Sequence, residues 1–183
     1  MPLALARTLD DRAVAAASAL VGRSRQADRV AAFLALHLAK SHVLLLGLLL
    51  VGGRGPAGRR RREAALRIAV ALPVTIGVVG LVGRLADRQR PFARAAASAS
   101  LVAHAPDRSF PSRHSACAAA MTTIALPAAP TVGALMGLGA AGLAVSRVYA
   151  GLHYPSDVLA GWLIGALIGI IARRKEFVRV TWT

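Results

Sequence analysis

One cysteine among 183 residues leaves no disulfide framework and no cysteine-rich metal site. Aromatic residues are scarce too, at 4%, so the stacking platforms that hold single-stranded nucleic acids are missing. Acidic residues number 8 against 23 lysines and arginines, a formal net charge of +15. That surplus alone would suit a nucleic-acid partner. The rest of the composition excludes one. Charged residues make up 17% of the chain, where a soluble domain carries about 25%. Hydrophobic residues reach 56% and mean hydropathy is +0.55. A soluble fold of this length cannot hide such an excess, because surface area shrinks too slowly with chain length. The excess must face lipid, and the chain reads as one polytopic membrane domain over residues 1–183.

Spanning a bilayer takes about 20 apolar residues in a helix. Five segments fit or nearly fit: Val30–Val51, Ala64–Val82, Ser115–Leu126, Val132–Tyr149 and Val158–Ala172. Two are short, which places polar groups below the interface at their ends. Pro127 and Pro130 predict a tight turn between the third and fourth. Residues 1–29 predict a helix lying in the interface, because the apolar run Ala13–Val21 is short and is flanked by Asp10, Asp11, Arg12, Arg23 and Arg25. A sixth crossing within residues 9–22 is the alternative. A cleavable signal peptide is not expected, since acids occupy the place of a basic n-region. The fold class is therefore all-α, a membrane bundle of five to six crossing helices.

Arginines set the orientation. Gly52–Glu63 carries Arg54 and Arg59 to Arg62, and the tail carries Arg173, Arg174, Lys175 and Arg179, so both are expected in the cytoplasm. That leaves residues 84–113 and 146–157 together on the outer face. These are basic too, with Arg84, Arg88, Arg90, Arg94, Arg108 and Arg113, and positive-inside logic does not explain them.

Three outer segments carry chemistry. Gly83 to Phe92 holds Arg84, Arg88 and Arg90-Pro91; Ser109 to Ser115 holds Pro111-Ser112-Arg113-His114; and Ser146-Arg147 precedes His153 and Asp157. Guanidinium groups bind phosphate oxygens bidentately and stay charged at any physiological pH. Ser112 before an apolar helix predicts an N-cap, whose free amides attract anions. Asp157, four residues after His153, is placed to hold that ring and raise its basicity. His114 is a second histidine on the same face, suited to proton donation.

These segments resemble the signature of the type-2 phosphatidic acid phosphatase superfamily: K-x6-R-P, P-S-G-H and S-R-x5-H-x3-D. The third matches at every fixed position. Arg113 replaces the glycine of the second, and Gly83 stands where the first has lysine. Within the superfamily the chain is most similar to bacterial undecaprenyl-diphosphate phosphatases of the bacitracin-resistance type, through Arg88, Arg90-Pro91-Phe92, Ser109-Phe110-Pro111-Ser112 and Gly151-Leu152-His153-Tyr154-Pro155.

The resemblance implies a nucleophilic His153 that becomes a phosphohistidine, Asp157 orienting it, and His114 protonating the leaving oxygen. Arg90, Arg147, Ser112 and Arg113 would bind phosphate, with Arg84, Arg88 or Arg113 in place of the missing lysine. It implies no metal and no cofactor, because cationic side chains and amides supply the charge stabilisation. The expected substrate is a lipid phosphate in the membrane: undecaprenyl diphosphate, or alternatively phosphatidylglycerophosphate, phosphatidate or another lipid phosphate. The expected location is the bacterial inner membrane, with the site on its outer face.

Bland readings fit the remaining polar groups. His37, Lys40 and His42 predict bundle-facing contacts or pocket walls, His104 a surface loop, and Cys117 a small buried hydrophobe. The glycines and alanines from Gly133 to Gly142 predict close helix packing.

Overall fold

The computed structural model describes residues 2–51, 53–94 and 100–174, with side chains from residue 7 onward. Lys175 and Arg179 of the basic tail lie outside the described residues. The fold is all-helical: α1 Pro2–Ser18, α2 Arg25–Val51, α3 Gly55–Ala86, α4 Pro91–Arg94, α5 Arg113–Ala128, α6 Pro130–Tyr149 and α7 Pro155–Ala172. Among the described residues, α2, α3, α6 and α7 are long and apolar enough to cross a membrane. The crossing expected over Ser115–Leu126 forms α5, whose 16 residues span about 24 Å at 1.5 Å per residue. It packs at the centre of the bundle between α3, α6 and α7.

Helix ends differ from the sequence expectation in ways that have local causes. The arginine-rich stretch expected as the loop Gly52–Glu63 is helical from Gly55, because Pro56 suits a first helical turn and arginine is a good helix former. Pro127 lies in the last turn of α5, so the turn narrows to Ala129, with Pro130 starting α6. The N-terminal helix starts well before Ala13 and contains Asp10 and Asp11. It is not among the helices long and apolar enough to cross.

Small residues decide how closely the helices approach. Gly161, Gly165 and Gly169 recur every four residues along α7 and face the backbone of α5. A Cβ at Gly161 would sit 2.5 Å from the Ser112 carbonyl oxygen, one at Gly169 2.8 Å from Thr123 Cβ, and one at Gly165 would overlap the Ala116 carbonyl. The expected small-residue packing on α6 is present as well. Gly133 meets the backbone of Leu126, Gly139 the His42 ring and Gly142 the Leu38 side chain. His42 is buried and reaches the Met136 carbonyl with Nε2 at 3.0 Å, tying α2 to α6. His37 and Lys40 are exposed on the outer side of α2 and are not bundle-facing, since helical spacing turns them away from the stripe of Ala35, His42 and Leu49. Leu49, Ile68, Ile124 and Met136 form an apolar cluster at the lower end of the bundle, away from the polar segments.

Candidate active site

The three polar segments meet at one end of the bundle because short backbone contacts join them. Asp87 caps α3 in the left-handed region, φ 40°, and turns the chain out of the helix. The segment that follows lies beside the second, with Gln89 bridged to Arg108 and Ser109 N donating to the Arg88 carbonyl at 2.8 Å. Ser112 N donates to the Asp157 carbonyl at 2.9 Å, joining the second segment to the third. The third is folded back on itself: Leu152 N and His153 N both donate to the Arg147 carbonyl, at 3.0 and 3.3 Å. Gly151 makes that reversal with φ 71°, a conformation that favours glycine.

His153 is 2% exposed and held by both ring nitrogens. Nδ1 lies 2.9 Å from the Ser109 carbonyl oxygen, which can only accept. The proton therefore sits on Nδ1, and the lone pair on Nε2. That nitrogen lies 3.1 Å from Arg90 Nη1, a donor. Asp157 Oδ2 is 3.7 Å from Nδ1, so the carboxylate acts on the ring through its field, while the Ser109 carbonyl makes the orienting hydrogen bond. Burial pushes His153 towards its neutral form, and neighbouring Asp157 opposes that push. Asp157 itself is fully buried. It accepts from Tyr154 N at 2.9 Å, closing the first turn of α7, and from Arg88 Nη1 at 2.8 Å.

Arg90 is 5% exposed and is held through Nε and Nη1. Nε pairs with Asp107 at 2.7 Å, and Nη1 donates to the Leu152 carbonyl at 2.8 Å as well as facing His153. Asp107 is held below the usual carboxylate range: partial burial raises its pKa, but the Arg90 hydrogen bond and charge, with His104 and a backbone hydrogen bond, together lower it by more. Arg147 is equally buried, and its Nε finds no partner among the described residues. A buried guanidinium with an unpaired N–H is costly unless an anion meets it. Ser112 caps α5 as expected, its Oγ accepting from Ser115 N at 3.4 Å.

A cavity of about 560 Å³ is bordered by His153. Arg84, Arg90, Arg108, Arg113, His104, His114 and the acidic Asp107 supply its polar lining; Ile76, Val79 and Leu81 of α3 supply apolar lining. His104 lies in a partly exposed loop, as expected, and also borders the cavity. Cys117 is half-buried. Of the predicted site residues, His153, His114, Arg90, Arg113 and Arg84 converge on the cavity, while Ser112 and Arg147 sit in the walls behind. Arg88 does not reach it. Its guanidinium turns to the far side of His153, to Asp10 at 2.7 Å and Asp157 at 2.8 Å. Sequence reasoning missed Ser109, whose carbonyl carries no side-chain signature, and Asp107 and Asp10, which lie outside the recognisable segments.

Such a site holds a desolvated histidine nitrogen beside fixed cations, with a second histidine bordering the same space. That suits attack on a phosphorus centre bearing dispersed negative charge. A family model described as the PAP2 superfamily matches residues 64–180. The chain is 34% identical over 143 residues to a protein of Escherichia coli K12 provisionally named undecaprenyl-diphosphatase YbjG, covering 76% of this chain and 70% of that one. It is 31% identical over 120 residues to an undecaprenyl-diphosphatase of Sulfolobus acidocaldarius, covering 64% of this chain but 58% of the relative. Among solved structures, a transmembrane PAP2-type phosphatidylglycerolphosphate phosphatase from Bacillus subtilis superposes with a TM-score of 0.71 at 23% identity, over 95% of this chain and 88% of that one. That likeness extends the shared fold to α1 and α2.

Proposed function

The chain belongs to the PAP2 superfamily, and from that premise we propose that it is a membrane phosphatase acting on undecaprenyl diphosphate, which it converts to the monophosphate and inorganic phosphate. The carrying observation is the hydrogen bond from His153 Nδ1 to the Ser109 carbonyl, which leaves the lone pair on Nε2, beside Arg90, with both side chains bordering the cavity. Nε2 attacks the terminal phosphorus, the Nε2–P bond forms, and the bond from that phosphorus to the bridging oxygen breaks. The bridging oxygen takes a proton from His114 and leaves with the lipid. Water, deprotonated by the same histidine, then attacks the phosphohistidine and releases phosphate. Arg90 and Arg147 hold the equatorial oxygens. Asp157 stabilises the positive charge that His153 gains on attack.

Four arginines around one cavity favour a diphosphate over a monophosphate, since they can meet both groups. Arg84 and Arg113 are the side chains offered in place of the lysine missing at Gly83. The apolar α3 wall suits the start of the lipid chain. The chemistry needs no metal, because the arginines supply the charge stabilisation. In a bacterial cell the site would face outward from the inner membrane, with the C-terminus in the cytoplasm, recycling a cell-wall carrier and conferring bacitracin tolerance. The fold likeness to a phosphatidylglycerolphosphate phosphatase supports a second reading, with a glycerolipid phosphate as substrate.

Phosphate release by purified protein in detergent with EDTA separates these readings. Undecaprenyl diphosphate is expected to turn over faster than phosphatidate and phosphatidylglycerophosphate, and a His153→Ala control is expected to release none. Preference for a glycerolipid would replace the substrate and keep the chemistry. No turnover of any lipid by folded protein would replace the enzyme with a lipid-phosphate-binding protein.

A further inference from the structure

The N-terminal helix touches the site through one side chain. Asp10 is 4% exposed. Its Oδ1 accepts from Ser156 N at 3.0 Å, and its Oδ2 from Ser156 Oγ and from Arg88 Nη2, the latter at 2.7 Å. It therefore caps α7 from outside and fixes one arm of Arg88. The other arm donates to Asp157 Oδ1 at 2.8 Å, and the guanidinium lies 3.8 Å over the Tyr154 ring. Asp157 Oδ2 in turn stands 3.7 Å from His153 Nδ1. Four ionisable side chains, Asp10, Arg88, Asp157 and His153, thus form a row behind the nucleophile.

A row of this kind has an electrostatic consequence. A guanidinium paired with Asp157 alone would cancel most of the negative potential that Asp157 places on His153. With Asp10 as the second carboxylate, two negative groups share one positive group, and the trio keeps one net negative charge. We infer that Asp10 is a positioning residue for the nucleophile: it anchors Arg88 and offsets its charge, so that Asp157 retains a negative potential behind His153. The inference rests on the nucleophilic role proposed above for His153. The other charged or titratable groups facing His153 are Arg90 from the loop before α4, Arg147 from α6 and His114 from α5. The positive charge of Arg90 and Arg147 makes the retained negative charge matter more.

The test is Asp10→Asn, which keeps the shape and removes the charge. It is expected to lower kcat about 10-fold with KM within about twofold, the size common when a group that orients a reacting residue is lost. Removing negative charge disfavours the imidazolium, so the acid limb of the kcat/KM profile moves to lower pH. The ¹⁵N NMR titration of His153 should move the same way, by about half a unit. Asp10→Glu restores both. Arg88→Gln moves the NMR titration the opposite way, upward, and decides the matter should Asp10→Asn not fold. A purely structural clamp would instead lower the melting temperature and leave the NMR titration and the acid limb unmoved. That result overturns the inference. Absence of turnover by the unmodified protein would defeat the proposed activity, and the substrate-free NMR titration would still judge Asp10.

Discussion

The two ends of this bundle are both rich in arginine, and they use it differently. At one end, Arg54 just before α3 and Arg59, Arg60 and Arg62 on its first turns are exposed, and Arg67 donates to the Arg173 carbonyl. At the other, Arg90 and Arg147 are each 5% exposed. One is held through Nε and Nη1 by Asp107, Leu152 and His153, and the other has an Nε with no partner among the described residues. Charge counting sees the ends as equivalent. Burial separates them: a solvated guanidinium suits topology and anionic headgroups, whereas a desolvated one is retained where a specific anion repays its cost.

The most severe way to break the contrast is at the nucleophile. His153→Ala is expected to reduce phosphate release by about 10,000-fold or more, with the helical content unchanged by circular dichroism. Arg147→Gln should reduce kcat by about 100- to 1,000-fold, the range for losing one fixed donor to a transition-state oxyanion; steady-state kinetics with a lipid diphosphate would read it. Gly165→Ala tests the scaffold between the two ends. Its Cβ would overlap the Ala116 carbonyl, so a loss of about 1–3 kcal/mol is expected from overpacking, seen as a lower melting temperature in detergent. The smallest effect belongs to the exposed end: Arg59→Gln with Arg62→Gln should leave kcat within about twofold. A large loss of turnover there would erase the distinction drawn from burial.

Much of this was legible in the sequence. Hydropathy gave the helices, and ordered polar segments placed His153, His114, Arg90 and Arg113 around one space. Arg88 illustrates what was not. It stands two residues before Arg90 and reads as another phosphate ligand, yet its partner Asp10 lies 78 positions away, beyond any local pattern. Ser109 acts through its backbone carbonyl, which every residue type possesses. The small-residue reading covered Gly133 to Gly142 on α6 and passed over the four-residue recurrence of Gly161, Gly165 and Gly169 on α7. Only the structure shows that it faces α5 and brings α7 against the helix that Ser112 caps.

The central claim is that His153 Nε2 forms a bond to phosphorus. Its most direct test is to quench the protein in base during turnover of a ³²P-labelled lipid diphosphate, locate the label by mass spectrometry and assign the nitrogen by ³¹P NMR. Phosphate on Nε2 of His153, absent from His153→Ala, is the predicted result. Label on another residue, or steady turnover with no labelled protein under conditions that preserve phosphohistidine, would contradict it.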